Sequence, residues 1–157
     1  MAQAAREILQ ATIAEWTKFA AERDKMRRIS TDVAMVTKTI IKDHLSFFKA
    51  KQIDVDCETS EDLKVLGVKI SVDPIVEETF PTVKASVALK CGGASRFIII
   101  NPNTSISAGG PPFMFEDLKK GVPESFINNA AEFVRDAFLN VARTGGVGSK
   151  QPAPQGS

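Results

Sequence analysis

Residues 83–91 read VKASVALKC, and this stretch decides the fold. Apolar residues occupy every second position from Val83 to Cys91, and polar or small residues lie between them. A period of two is typical of a β-strand with one buried and one accessible face. The turn sequence GGAS follows at 92–95, and RFIII at 96–100 predicts another strand. The stretch therefore predicts a β-hairpin at the centre of the fold.

Further strands are predicted on both sides of this hairpin. The alternation within residues 68–72 predicts a strand before it, followed by a connector between Pro74 and Pro81. A short strand is predicted around residues 104–108. The unbroken apolar run at 97–100 indicates a central strand that is covered on both faces. Because the connections are short, we expect an antiparallel meander of three to four strands.

The N-terminal section is predicted to be helical. The first 66 residues contain neither Gly nor Pro, and their apolar residues recur at spacings of three and four. The apolar pattern weakens across residues 23–28, and Ser30, Thr31 and Asp32 are three good N-cap residues in succession. Two helices are predicted, over residues 3–27 and 32–50. The alternative is one long helix with a polar middle, which would need a partner to cover its apolar stripe.

A last helix is predicted after Pro123, which suits the first turn of a helix. Its apolar stripe runs from Phe126 to Val141. Residues 145–157 are mostly Gly, Pro, Ser and Gln, a composition typical of a flexible tail. The sequence thus predicts a single α+β domain over residues 1–144. It consists of two N-terminal helices, a three- to four-stranded antiparallel meander, and a C-terminal helix packed on the sheet as a two-layer sandwich.

The composition is that of an ordinary globular protein, with 43% hydrophobic and 25% charged residues. A net charge of +1 gives no global electrostatic case for nucleic acid or membrane binding. The apolar runs are far shorter than the ~20 residues of a membrane-spanning helix. No secretory signal pattern begins the chain, and two cysteines are too few for a disulfide framework. Together these features predict a cytoplasmic protein.

Catalytic chemistry has little support in the sequence. His44 is the only histidine, and a general base would need an orienting carboxylate and a nucleophile within reach. The adjacent Asp43 points elsewhere on a helix. His44, Cys57 and Cys91 also lack zinc-ligand spacing. The sequence therefore favours a non-enzymatic protein, without ruling out an enzyme, and predicts neither a cofactor nor a metal site.

The N-terminal section carries more apolar surface than one small sheet can cover, unless its two helices simply cover each other. Surplus apolar stripes are typical of oligomer interfaces. The leading hypothesis is a protein-interaction or adaptor module that self-associates as a homo-oligomer through its N-terminal helices. Its sheet edge or loops would then contact another protein. The residues predicted at the interaction surface are Trp16, Phe19, Arg23, Arg27, Arg28, Ile40, His44 and Phe47.

Two other hypotheses remain open. A pocket between the sheet and the C-terminal helix could bind a small apolar ligand, with Phe113, Met114 and Phe115 at its mouth. Alternatively, the basic residues of the 23–28 segment could bind nucleic acid. Acidic residues interrupt that segment and no aromatic stacking platform accompanies it, so a solvated turn is favoured.

Overall fold

The computed structural model describes residues 2–145. In chain order, its elements are α1 (Gln3–Ala50), β1 (Val55–Asp56), β2 (Lys64–Val65), β3 (Val68–Lys69), β4 (Ser71–Thr79), β5 (Thr82–Cys91), β6 (Ala94–Ile100), β7 (Ser105–Ser107), β8 (Phe113–Met114), a 3-10 helix (Phe115–Lys119) and α2 (Glu124–Thr144). The α+β class is confirmed. Apart from Gly145, the predicted flexible tail at 145–157 lies outside the described residues.

One helix of 48 residues, α1, replaces the two predicted N-terminal helices. The two-helix prediction is wrong, and the alternative of one long helix is confirmed. Ser30 does not cap a second helix, because its hydroxyl donates a hydrogen bond to the Arg27 carbonyl at 3.0 Å within the helix. Met26, Ile29 and Val33 are all buried, so the apolar stripe continues through the polar middle. At 1.5 Å per residue, α1 is about 72 Å long.

The main sheet has five antiparallel strands in the order β4-β5-β6-β7-β8, one more than the predicted meander. The extra strand is β8, which pairs with β7. β4 also runs through Pro74, where the sequence predicted a connector. Because β4 lies at the edge of the sheet, the missing N–H of this proline can face away from the hydrogen-bond ladder. A smaller antiparallel sheet of β1, β2 and β3 packs beside α1.

Both helices lie on the same face of the main sheet. α1 packs on β4 and β5, α2 packs on β6 and β5, and the two helices contact each other. The apolar side chains of β5 from Val83 to Cys91 are buried beneath them. The opposite face carries Phe97 and Ile99 of β6, which are 52% and 44% exposed. The prediction that both faces of β6 are covered is therefore wrong, since the helices pack on only one face.

The C-terminal helix forms where the sequence predicted it. α2 begins directly after Pro123 and is followed by Gly145, whose φ of 77° is the left-handed conformation that commonly ends helices. Arg96 of β6 bonds Glu132 at 3.1 Å and Asp136 at 3.0 Å on the surface of α2. Burial acts to raise the pKa of Asp136, but hydrogen bonds from Arg96 and Arg135 outweigh it and hold that pKa below its ordinary value. These ion pairs link α2 to β6 at the surface, above the buried apolar face of the helix.

Candidate interaction surface

The first sixteen residues of α1, Gln3 to Lys18, form an arm that extends beyond the sheet. Every residue from 6 to 18 is exposed, and the first buried residue of the helix is Phe19. Sixteen residues of α-helix span about 24 Å. The arm therefore contributes almost nothing to the core of its own chain.

An apolar stripe follows one side of the arm. Its large members, Ile8, Leu9, Ile13 and Trp16, are between 51% and 66% exposed. Leu9, Ile13 and Trp16 succeed one another at spacings of four and three, which keeps them on one side of a helix. Phe19 continues the stripe into the part of α1 that the sheet covers. The arm thus presents to solvent the same kind of face that the rest of α1 buries.

Three aromatic rings meet at the root of the arm. The centroid of Trp16 lies 5.2 Å from that of Phe19 and 5.8 Å from that of Phe80, and Phe19 and Phe80 are 5.2 Å apart. Phe80 and Pro81 form the turn between β4 and β5. The Arg23 guanidinium lies 6.0 Å from both the Trp16 and Phe19 centroids, at cation–π distance. We call Trp16, Phe19 and Phe80 the root cluster.

A groove of about 370 Å³ opens between α1 and the β4–β5 turn. It is lined by Glu15, Lys18, Phe19, Glu22, Phe80 and Pro81. Its floor is apolar, and charged side chains of α1 stand at its rim. We call it the root groove. It is continuous with the exposed stripe of the arm through Phe19 and Trp16.

The predicted interaction residues do not form one patch. Trp16, Phe19 and Arg23 come together in and around the root cluster. Ile40 is buried on the side of α1 that faces the sheet, so it is not available for binding. Phe47 is 64% exposed, but it lies 31 residues from Trp16, or about 46 Å along the helix. Of the apolar residues predicted at the surface, Trp16 and Phe47 are exposed and Phe19 and Ile40 are not.

His44 and Cys91 have structural roles. The His44 Nε2 atom is 3.1 Å from the Ile127 carbonyl oxygen, and because a carbonyl can only accept, the imidazole donates this bond and ties α1 to α2. Burial raises the pKa of the Cys91 thiol to about 11. The thiol therefore stays protonated at neutral pH and is a poor nucleophile. Among residues 2–145, no group of three or more His, Cys, Asp or Glu side chains is placed to hold a metal ion.

The basic segment at 23–28 has local counterions. Arg27 forms an ion pair with Glu78 of β4. Arg23 and Lys25 lie 3.2 Å from carboxylate oxygens of Asp24 and Glu22, respectively. Arg28 is exposed on the outer side of the helix. A phosphate would have to compete with these carboxylates, so the arrangement gives the nucleic-acid hypothesis little support.

The residues predicted at a pocket mouth occupy different environments. The Phe113 ring packs 5.6 Å from that of Phe126, whereas Met114 is exposed on β8 and Phe115 starts the 3-10 helix. Phe126 and Phe133 are fully buried between α2 and the sheet. This space is filled by side chains, so an apolar-ligand pocket there stays a prediction without support from the packing.

Sequence reasoning missed the part of the surface that comes from the sheet. Phe80 was assigned to a connector between two prolines, and nothing in the local sequence links it to a helix more than sixty residues away. Ile8 was also left out of the predicted surface, although its spacing from Thr12 and Trp16 marks it as part of the stripe. That spacing was the available signal.

Within the described part of the chain, no helix has the length and apolar character needed to cross a membrane. Comparison with protein-family models, with curated proteins and with solved structures gave no match to this chain. Its function is therefore inferred from the arm, the root cluster and the root groove.

Proposed function

We propose that this chain is a non-enzymatic interaction module that self-associates through its arm. The observation that carries the proposal is the exposed stripe of Ile8, Leu9, Ile13 and Trp16 on a helix segment that its own sheet does not cover. Apolar side chains on a helical stripe are stabilised when a second helix covers them, because each loses contact with water. A covered arm would resemble the buried part of α1.

A second copy of the chain suits this arm as its partner. The arm carries Arg6 and Lys18 together with Glu7 and Glu15, so its formal net charge is zero and two arms do not repel each other. In a two-fold symmetric pair, each arm offers the same apolar stripe to the other, and both stripes are covered at once.

The non-enzymatic part of the proposal is supported by the roles of the two residues with the most catalytic potential. The imidazole of His44, the only histidine, is bonded to a backbone carbonyl. The Cys91 thiol is buried with a raised pKa. The imidazole thus joins α1 to α2, and the buried thiol is protonated at neutral pH.

An adaptor also needs a surface for another protein, and the uncovered face of the sheet suits this role better than its edge. Phe97 and Ile99 are exposed there. The edge strand β4 instead contains Pro74, together with the acidic residues Asp73 and Glu78, and such residues oppose strand pairing between molecules. We therefore place the second contact of the module on the uncovered face.

The mass of the protein in solution tests self-association. Sedimentation equilibrium at total concentrations from about 1 to about 100 μM covers the range in which weak homodimers dissociate. We expect a concentration-dependent dimer for the natural sequence. The double substitution Leu9→Ser/Ile13→Ser is expected to give a monomer with unchanged far-UV circular dichroism, because both side chains lie outside the core.

The matched control is Phe97→Ser/Ile99→Ser, which removes a comparable amount of exposed apolar surface from the sheet. This variant should dimerise like the natural sequence. A natural protein that stays monomeric throughout the range, or a dimer that the arm variant leaves intact, contradicts the proposal.

A further inference from the structure

We infer that two arms pair in antiparallel orientation, with the first turn of α1 of one copy seated in the root groove of the other. The inference rests on the proposed self-association and adds its geometry and its second contact site. Three observations favour this orientation over a parallel pair: the position of the β4–β5 turn, the distribution of side-chain size along the arm, and the charge of the groove rim.

The β4–β5 turn blocks a parallel pair in register. Phe80 packs on Trp16 and Phe19, so the turn already covers part of the stripe at the root of the arm. A parallel partner would bring its own Phe80 and Pro81 to the same level of the same seam. In an antiparallel pair the two turns lie at opposite ends of the paired arms, about 24 Å apart.

Side-chain size changes along the arm in a way that favours packing of the N-terminal end of one arm against the root of the other. The N-terminal end carries Ala2, Ala4 and Ala5, whereas the root carries the large rings of the root cluster. An antiparallel register that sets Ala5 opposite Trp16 also sets Leu9 opposite Thr12. The Trp16 ring and Leu9 then face smaller side chains, and Ile8 faces Ile13 as an apolar pair near the middle of the arms, which allows close packing of the two helices. A parallel pair would set Trp16 against Trp16.

The charge at the N-terminus of α1 in one copy complements the charge at the root groove of the other. The N-terminus of α1 has no acidic residue in its first turn and no side-chain cap, so the partial positive charge of its free N–H groups is not offset locally. Glu15 and Glu22 stand at the rim of the root groove together with Lys18, and Glu22 also lies 3.2 Å from Lys25. In the antiparallel register the first turn of one helix lies between the levels of these two carboxylates on the other. The groove therefore offers that turn an apolar floor and a rim whose three charged residues sum to a formal charge of −1.

Cysteine crosslinking distinguishes the two orientations. Cys57 and Cys91 are buried, so the natural protein serves as the unreactive control for a short bismaleimide reagent. Two Cys residues at position 12 would lie about 4.5 Å apart along the axis of an antiparallel pair, and two at position 5 about 16 Å apart. In a parallel pair both positions face their own copies. Position 14 points away from the stripe and should not crosslink in either arrangement.

We expect Thr12→Cys to give a crosslinked dimer and Ala5→Cys to give at least about tenfold less, as follows from the separation along the helix axis. Equal crosslinking of the two variants shows a parallel pair and overturns the inference, while self-association through the arm stands. A dimer by mass in which neither variant crosslinks overturns both proposals. A monomer by mass overturns self-association, and the inference with it.

The root groove has its own test. Phe80→Ala removes a half-exposed ring from the groove floor, so the fold should be retained. We expect the dimer dissociation constant to rise roughly tenfold, which is the effect of losing one well-packed aromatic contact. Phe47→Ala, which removes an exposed ring from the far end of α1, is the matched control. Equal dissociation constants for the two variants overturn the role of the groove.

Discussion

The arm and the remainder of α1 belong to one helix and carry the same kind of apolar stripe, yet only one of them is buried. From Phe19 to Leu45 the stripe is buried against the main sheet, the small sheet and α2, whereas from Ile8 to Trp16 it is exposed. The dimensions of the elements explain the difference. The longest strand, β5, has ten residues and spans about 33 Å, less than half of the ~72 Å length of α1. A sheet of this size cannot cover the whole helix.

This comparison shows that the periodicity of a helix indicates which side is apolar but not how far along the helix that side is covered. Coverage depends on the length and position of the element packed against it. Of the six large apolar side chains of α1 that are exposed, four lie in the arm, and Met35 and Phe47 stand singly farther along the helix.

The largest expected difference between the arm and the remainder of α1 is the effect of an alanine substitution on the free energy of unfolding. Leu45 is fully buried, so Leu45→Ala should lower the free energy of unfolding by about 2 to 5 kcal/mol. Leu9→Ala should change it by less than about 0.5 kcal/mol, because the side chain is exposed. Urea unfolding monitored by circular dichroism, at dilution sufficient to keep the protein monomeric, measures both. Similar losses for the two variants would mean that the arm packs on its own chain.

Amide hydrogen exchange should separate the two parts without any substitution. In dilute protein, amides of residues 7–16 should exchange roughly 100-fold faster than that of Val33, since the arm can unwind without opening the core. At high concentration the arm amides should become protected as arms pair. Exchange rates measured by NMR or mass spectrometry over a concentration series provide the test. Arm protection that does not depend on concentration would count against pairing.

A smaller effect is expected from the charge at the root of the arm. Glu15→Gln should weaken the dimer by about two- to fivefold at low ionic strength, the size of a helix-terminus charge interaction. High salt should remove most of this difference, because the rim is exposed to solvent. Dissociation constants at two salt concentrations provide the measurement, with Glu7→Gln as the control. An unchanged constant at low salt would remove the electrostatic argument for the antiparallel pair.

The smallest expected effect is on stability and concerns Ser30, which lies where the sequence predicted a break in α1. Ser30 is buried within α1 and bonds only back to its own helix, so Ser30→Ala should alter stability by no more than about 0.5 kcal/mol. If Ser30 were instead the N-cap of a second helix, the same substitution would cost about 1 to 2 kcal/mol. Thermal unfolding of the two proteins at equal concentration can resolve a difference of that size.

Much of the fold could be predicted because local pattern and final environment agree. The alternation from Val83 to Cys91 gave β5 its buried face, and α2 begins directly after Pro123 as expected. The prediction failed at Ser30, where a good capping residue is held inside a helix because the apolar stripe beneath it continues. It failed again at residues 97–100, where the apolar run reflects one buried and one exposed side rather than two buried ones.

The candidate site was less accessible to prediction. Trp16 and Phe19 could be selected from the helical pattern alone. Phe80 could not, because its place beside them depends on the length of β4 and on where its turn meets α1. Phe47 and Ile40 were selected on the same pattern, but they lie at other points along a helix that the sequence did not establish as continuous. The distances between these residues are set by how the helices and strands pack together, which the sequence pattern does not give.

The unbroken backbone of α1 has a mechanical consequence. Neither glycine nor proline occurs between Gln3 and Ala50, so the helix has no joint at which the arm could swivel. A partner bound to the arm is held at a fixed angle and distance from the strands on which the rest of α1 packs. A force or torque applied to the arm is therefore transmitted along the continuous helix to β4 and β5, on which α1 packs.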